Sequence, residues 1–218
     1  ISIVYGLTEQ HAPMTVTHRE DDIEDQCNTV GQPLSHCEMK IVDPITWETL
    51  PCGVPGEICY RGYATMLGYW DNEKATNQMI ERNGWMHTKD MGTMDDRGFV
   101  KITGRVGDMI IRGGENIYPR EIEILLLDHP KVHEVGVFGI PDDVWGEQVA
   151  AAIQPVSMDD PPTVEELDQF CKDNLTGFKR PRFWSIQGEI PMTPTGKVQK
   201  YIIKDNYKQG KIKLISTL

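Results

Sequence analysis

The stretch GRVGDMIIRGGENIYPREIE, from Gly104 to Glu123, decides how this chain is organised. Before it the sequence is rich in turns and strand-like segments, and after it strands and helices alternate. Within it, Gly113 and Gly114 permit a sharp turn with positive φ, and Pro119 occupies the position expected of a first helical residue. We therefore predict a strand, a glycine turn and a helix here, with a domain boundary at 104–108.

Two strands and one helix are predicted before the boundary. GEICYRG (Gly56–Gly62) alternates apolar and polar residues, as a half-buried strand does. FVKI (Phe99–Ile102) follows the turn DDRG, which is a hairpin signal. A helix is expected over Asn72–Arg82, with Asp71 as its N-cap.

An α+β module is predicted after the boundary. Thr163 and Glu166 have the spacing of a capping box, which predicts a helix reaching about Asn174. The other predicted helices are Arg120–His129 and Tyr201–Tyr207, and the predicted strands are Asp108–Arg112, Val132–Ile140, Gln148–Val156 and Arg182–Gln187.

Composition indicates a globular protein of one large or two small domains. The chain has 218 residues, of which 39% are hydrophobic and 25% are charged, and no apolar run approaches the roughly 20 residues of a membrane span. A net charge of −11 argues against non-specific binding to nucleic acid or to anionic membranes. It leaves room for a small anionic ligand, because a few local cations and backbone N–H groups can hold a phosphate.

Cysteine usage and the first residue bear on location. The five cysteines are odd in number and form no C-x-x-C pair, so we expect reduced thiols in an intracellular compartment and no zinc site. The cytoplasm is the expected location, with mitochondria as the alternative. The chain opens at Ile1 without a signal-peptide pattern, and we expect it to be a piece of a longer protein.

Three short segments carry side chains suited to a nucleotide. In YGLTE, Tyr5 can stack on a base, Thr8 can donate to a phosphate and Glu9 offers an oxygen ligand for Mg²⁺. The alternative is an ordinary turn at a strand end with a solvated glutamate. In GWMHTKDMG, Asp90 can accept hydrogen bonds from ribose hydroxyls, and Arg105 can bind hydroxyls or phosphate with its guanidinium fork.

Two further side chains allow more than one interpretation. His87 is either a general base or, as we favour, a structural histidine, beside a packing Trp85. In PMTPTGKVQK, Lys197 follows Gly196 on a proline-stiffened loop. It either presents a cation to an anion or is an ordinary solvated lysine.

The order of these motifs carries a family resemblance. YGLTE, RGYATMLGYWDNEKAT, GWMHTKD, GRVGDMIIRGGENIYPREIE and PMTPTGKVQK together resemble the adenylate-forming superfamily, closest to its fatty and medium-chain acyl-CoA synthetases. The resemblance covers nearly all of the chain. It implies the β-rich end of a large N-terminal adenylation domain (1–104), a hinge (105–108) and a small mobile α+β C-terminal domain (109–218).

The resemblance also implies a two-step reaction. A carboxylate attacks the α-phosphate of ATP to give an acyl-adenylate and pyrophosphate, and CoA then displaces AMP. The implied small-molecule partners are therefore a carboxylic acid, ATP and CoA, with Mg²⁺ and no nucleic acid. An alternative is an enzyme that loads a carrier-protein thiol, and another is a non-catalytic nucleotide-binding fragment.

Site roles follow residue by residue from that resemblance. Tyr5 matches the adenine-stacking aromatic, and Thr8 and Glu9 match the phosphate-contacting and magnesium-binding residues. The ribose-binding pair corresponds to Asp90 and Arg105. The roles expected in the second module are the adenylation lysine, which is Lys197, and the turn that approaches the pantetheine arm, which is Gly113, Gly114 and Asn116.

Two positions depart from the family pattern, and one motif is missing. Gly107 stands where the hinge usually carries Asp or Lys, and Lys89 stands where a small residue usually precedes the ribose aspartate. The phosphate loop and most of the acyl pocket would lie upstream of Ile1. We therefore expect the isolated chain to form no acyl-adenylate.

Overall fold

The computed structural model describes residues 1–11 and 13–217. The chain divides into two compact units, Ile1–Gly107 and Asp108–Leu218. Helices and mainly antiparallel strands are mixed in both units, so the prediction of an α+β fold is confirmed.

The first unit contains two antiparallel sheets. A three-stranded sheet has the order β1-β2-β3, and a four-stranded meander has the order β4-β5-β6-β7. The strands are β1 (Val4–Gly6), β2 (Pro13–Val16), β3 (Gln32–Pro33), β4 (Glu38–Val42), β5 (Gly56–Arg61), β6 (Met86–Met94) and β7 (Val100–Arg105). The helices are α1 (Ile23–Asn28) and α2 (Glu73–Met79), with a 3-10 turn at Thr8–Gln10.

The alternating pattern of β5 misled the prediction of its burial. Residues 56–60 are all buried, so the strand is covered on both faces rather than half-buried. Glu57, a polar residue in that pattern, is tolerated in the interior because it has ionic partners in His87 and Lys89. The hairpin predicted at the turn DDRG is confirmed, and β7 follows that turn.

The start of α2 also differs from the prediction. Asp71 has a φ of 50°, a left-handed conformation that an N-cap residue does not adopt. Asn72 caps the helix instead, because its side chain accepts a hydrogen bond from the backbone N–H of Ala75. The helix ends at Met79, earlier than expected, and Ile80 already forms a bridge with Met86.

The second unit is a six-stranded sheet with three helices. Its strand path is β13-β12-β11-β8-β9, and β10 also pairs with β11. The strands are β8 (Ile110–Arg112), β9 (Glu115–Ile117), β10 (Val132–Asp142), β11 (Gly146–Pro155), β12 (Phe183–Ile186) and β13 (Ile215–Ser216). The helices are α3 (Pro119–Leu127), α4 (Val164–Asn174) and α5 (Lys200–Lys208).

The predicted helix signals hold in this unit. Pro119 is the first residue of α3, and the capping box of α4 is complete, with Thr163 and Glu166 bonded reciprocally. Buried residues of α3 and α4 pack with β10, β11 and β12 in one apolar cluster. A second cluster joins α5 to β10 and β11, so the sheet is covered by apolar side chains from all three helices.

Candidate nucleotide site and lysine loop

The Asp90 carboxylate is the centre of the candidate site in the first unit. Tyr5 donates a hydrogen bond from its hydroxyl to Oδ2 of Asp90 at 2.8 Å. Arg105 donates from Nε to Oδ1 at 3.0 Å, and the two residues are cross-strand partners on β6 and β7. Asp90 is buried, whereas the Arg105 side chain is 65% exposed. The guanidinium is therefore accessible to a ligand, and the carboxylate is held in one orientation.

The surroundings of Tyr5 favour the protonated form of its hydroxyl. Burial first, and then the negative charge of Asp90, raise the pKa of its hydroxyl well above the usual value. A phenol is protonated at neutral pH even without this shift, and it donates to the Asp90 carboxylate, which can only accept. Tyr5 lines an open groove of about 580 Å³ together with Gly6, Thr8 and His11.

A polar network centred on Glu57 and His87 contacts Lys89, the residue before Asp90. Glu57 is 2% exposed and contacts His87 Nδ1 at 3.0 Å, while His87 Nε2 lies 3.0 Å from Glu81. Glu57 also accepts the backbone N–H of Lys89 at 3.1 Å, and its carboxylate lies 3.4 Å from Nζ of the same residue. Both ring nitrogens of His87 are occupied, which favours the structural role over the general base.

Lys89 departs from ordinary strand geometry within this network. Its φ is 62°, a left-handed conformation in the middle of β6. Such a conformation costs a non-glycine residue about 1–2 kcal/mol. The contacts with Glu57 hold the strained residue, and Asp90 follows it immediately. The network therefore helps to fix the direction in which the Asp90 side chain projects from β6.

The YGLTE segment forms a strand end followed by a 3-10 turn. Thr8 is exposed at the start of that turn. Glu9 accepts a hydrogen bond from the hydroxyl of Tyr69 at 3.0 Å, and its backbone carbonyl accepts the N–H of Met66 at 2.8 Å. These bonds tie the turn to the segment RGYATMLGYW, so the second motif supports the first.

Glu9 is the carboxylate that the turn Thr8–Gln10 offers to a magnesium ion. No cluster of three His, Cys, Asp or Glu side chains suited to a metal occurs among residues 1–11 and 13–217. Mg²⁺ is commonly bound by one or two carboxylates together with substrate phosphates and water. Glu9 fits that arrangement, because Tyr69 contacts only one of its two carboxylate oxygens.

Lys197 lies on a closed loop of the second unit. The backbone N–H of Lys197 donates to Oγ1 of Thr193 at 3.0 Å, and the N–H of Thr193 donates to the Lys197 carbonyl at 2.8 Å. Gly196 closes the turn with a φ of 78°. The Lys197 side chain is exposed, so the loop presents it from an ordered backbone.

The glycine turn of the second unit packs against an aromatic ring. Gly113 and Gly114 have φ values of 60° and 86° and connect β8 to β9, where Asn116 is exposed. The N–H of Gly113 donates to the carbonyl of Trp145 at 2.8 Å. A Cβ at Gly113 would lie 2.8 Å from the Trp145 ring, but at Gly114 it would meet nothing within 4 Å. Gly113 is therefore needed for packing and Gly114 for its backbone conformation.

The structure brings some of the expected site residues together. Tyr5, Asp90 and Arg105 form one cluster in the first unit, and Thr8 and Glu9 share one turn beside it. In the second unit, Lys197 and the glycine turn belong to different loops. Sequence reasoning missed Glu57 and Lys200, whose partners are distant in the chain. For Glu57 the available signal was a charged residue in a largely apolar strand, whereas Lys200 begins a helix with several other charged residues.

Comparison with known proteins identifies the family of the chain. A family model described as AMP-binding enzyme matches residues 1–70, and a second, AMP-binding enzyme C-terminal domain, matches residues 121–197. The chain belongs to the AMP-binding, adenylate-forming enzyme superfamily. Within that superfamily its curated relatives include acyl-CoA synthetases, which is the branch that the motifs resembled.

Three similar proteins illustrate the match. The Bacillus subtilis protein YngI, named as an acyl-CoA synthetase, is 43% identical over 94% of this chain and 37% of its own length. The mitochondrial medium-chain acyl-CoA ligase ACSF2 of Bos taurus is 40% identical over 95% of this chain and 34% of its own length. The ATP-bound structure of MatB from Rhodopseudomonas palustris is 31% identical with a TM-score of 0.86, covering 95% of this chain and 41% of that one. The chain thus spans well under half the length of each.

None of the helices within residues 1–11 and 13–217 combines the length and apolar character needed to cross a membrane. All five cysteines are free thiols, and Cys59 and Cys171 are buried.

Proposed function

We propose that this chain is the C-terminal portion of an ATP-dependent carboxylic acid–CoA ligase. The observation that carries the proposal is the Asp90 carboxylate, oriented by Tyr5 and Arg105, in a chain of the AMP-binding superfamily. The acid is a fatty or medium-chain acid, as the name of the relative ACSF2 suggests. An intracellular location, in the cytoplasm or in mitochondria, is part of the same proposal.

The first step joins the acid to AMP. A carboxylate oxygen of the acid attacks the α-phosphorus of ATP, the bond to the bridging oxygen breaks, and pyrophosphate leaves. Asp90 and Arg105 hold the ribose, and the ring of Tyr5 stacks on the base. Lys197 offsets the negative charge of the carboxylate and the α-phosphate as they approach, which lowers the barrier electrostatically. Mg²⁺, when bound at Glu9, neutralises phosphate charge.

The second step transfers the acyl group to CoA. The CoA thiolate attacks the acyl carbon, the bond to the AMP phosphate oxygen breaks, and AMP leaves. The glycine turn at Gly113, Gly114 and Asn116 lies along the pantetheine arm in this step. Because Lys197 and this turn act in different steps, the second unit (Asp108–Leu218) changes its position between them about a hinge at its boundary with the first unit.

Half-reactions of the full-length protein test the proposal. ATP–pyrophosphate exchange with a panel of carboxylic acids reports the first step, and CoA-dependent release of AMP reports the second. We expect Lys197→Ala to lower the exchange rate on the order of 100-fold, because a charge-stabilising group is lost. Exchange at the wild-type rate in this variant would show that Lys197 has no such role. The isolated 218-residue chain is expected to give no exchange, and a signal from it would contradict that expectation.

A further inference from the structure

Lys200 is a largely enclosed lysine at the end of the segment that carries Lys197. Its side chain is 17% exposed, and Nζ lies 2.9 Å from Oδ2 of Asp108 and 3.1 Å from Oε1 of Glu123. A single ammonium group therefore bridges two carboxylates on different segments. Lys200 is also the first residue of α5 and stands three positions after Lys197.

The burial of Glu123 makes loss of this bridge destabilising. It is a buried residue of α3, and its Oε1 also accepts the backbone N–H of Val137 on β10 at 3.1 Å. A buried carboxylate that loses a cationic partner is destabilised, and Lys200 lies nearer to Glu123 than Arg120 does, at 3.1 Å against 4.0 Å. Lys200 therefore has a fixed counter-charge, and its position is defined by α3 and β10 together.

Asp108 connects the bridge to the boundary between the units. It is the first residue of the second unit. On the other side of the boundary, Arg105 is held to Asp90 inside the first unit. Two residues remain between these anchored positions, Val106 and Gly107, and a Cβ at Gly107 would meet nothing within 4 Å. Asp108 is therefore the anchored first residue of the second unit and not a free part of the hinge.

Helix α5 begins at Lys200 and connects it directly to the Lys197 loop. Gly136 on β10 allows close approach of the helix, since a Cβ there would lie 2.7 Å from Cδ1 of Ile203 and 3.8 Å from Cγ of Lys200. The loop itself is closed by the backbone N–H of Gln199, which donates to the Pro191 carbonyl at 2.8 Å. A shift of the first residue of α5 thus displaces the base of the loop.

We propose that Lys200 is a positioning residue that fixes the Lys197 loop relative to Asp108 at the hinge end of the second unit. This inference rests on the proposed function, in which Lys197 acts in adenylation. Lys200 acts through Lys197 and does not touch the substrate. Its loss misplaces the Lys197 ammonium group while leaving the glycine turn on its separate hairpin unchanged.

The test compares three lysine variants in the full-length protein. Lys200→Met removes the charge with little change in length, Lys200→Arg keeps it, and Lys208→Met is the matched control on an exposed position of the same helix. We expect Lys200→Met to slow acyl-adenylate formation by about 10- to 100-fold, the cost of a misplacement of about 1 Å. Thioester formation from supplied acyl-adenylate is expected to change by less than about threefold, and arginine is expected to restore most of the first step.

Asp108→Asn supplies a second variant, because this residue is 31% exposed in its side chain and its replacement does not leave a buried charge unpaired. We expect it to slow adenylation as well, and we expect the double variant with Lys200→Met to be no slower than the slower single variant. Equal losses in both half-reactions would show that Lys200 serves stability alone. Fully multiplicative losses in the double variant would show that Lys200 and Asp108 act independently. Either result would overturn the inference. If the wild-type protein forms neither acyl-adenylate nor thioester, the proposed function fails instead.

Discussion

The hydroxyl of Tyr5 donates a hydrogen bond of 2.8 Å to Oδ2 of Asp90, a residue 85 positions later in the chain. The other carboxylate oxygen accepts from Arg105. A carboxylate can accept about four hydrogen bonds, so both oxygens retain capacity for ribose hydroxyls. The Tyr5 hydroxyl therefore orients the Asp90 carboxylate and leaves lone pairs on it free to accept from a ribose.

The Tyr5 ring and hydroxyl are expected to contribute separately to nucleotide affinity. Tyr5→Phe keeps the ring and loses the donor to Asp90, so AMP affinity of the full-length protein should fall about fivefold, the value of one hydrogen bond. Tyr5→Ala also loses stacking, worth a further ~1–3 kcal/mol. Calorimetric titration with AMP measures both. Equal losses in the two variants would mean that the ring does not contact the base.

Lys89 offers a test of backbone strain. Lys89→Gly and Lys89→Ala both lose the contact between Nζ and Glu57, so their difference isolates the left-handed φ of 62°. We expect the glycine variant to be the more stable by about 1 kcal/mol in urea denaturation. At Lys101, an exposed position of β7, the same pair should rank in the opposite order. The same order at both positions would argue against strain at Lys89.

Glu57 should stabilise the first unit at neutral pH and lose this effect in acid. Burial by itself would raise the pKa of Glu57, but the hydrogen bond with His87 and the charge of Lys89 outweigh it and leave the pKa below its usual value. The stabilisation is present above the unfolded pKa of about 4.3 and disappears as pH falls through the lower folded value.

Glu57→Gln should therefore cost about 3 kcal/mol of unfolding free energy at pH 7. The difference from wild type should shrink as pH falls below about 4. Thermal denaturation at a series of pH values measures this dependence. Glu48→Gln, at an exposed position, is the control and should change stability by less than about 0.5 kcal/mol. A constant difference between wild type and Glu57→Gln across the pH range would contradict the assignment.

The glycine turn should separate the two half-reactions. A Cβ at Gly114 would meet nothing within 4 Å, although the φ of 86° is strained for leucine, so Gly114→Leu should fold with a modest loss of stability. We expect thioester formation to slow on the order of tenfold, because a side chain enters the path of the pantetheine arm, while adenylation is spared. Rapid-quench measurement of each step in the full-length protein decides between this outcome and equal losses, which would count against a two-position mechanism.

Local rules predicted much of the fold. Two helix starts were recognised from short local signals. These are the capping box at Thr163 and the proline at the first position of α3. The cap of α2 was misassigned by one residue, since sequence does not show that Asp71 adopts a left-handed conformation. Motif order predicted the superfamily, which is confirmed. Tyr5, Asp90 and Arg105 lie in one cluster, and their roles toward a nucleotide stay predictions.

Long-range ion pairs could not be predicted. Glu57 looked like the polar face of a half-exposed strand, and only its contacts with His87 and Lys89 explain its burial. The sequence analysis assigned no role to Lys200, because both of its partners are acidic residues from distant segments. Pairing of charges across sheets and helices depends on tertiary packing, which residue periodicity does not encode.

The closed turn from Thr193 to Lys197 has a consequence for the entropy of catalysis. Thr193 donates to the Lys197 carbonyl and accepts the N–H groups of both Gly196 and Lys197, so the order of the loop is maintained by adjacent residues of the same peptide. The loss of backbone freedom thus occurs once, when the chain folds. Only the side-chain rotamers of Lys197 remain to be ordered at each turnover.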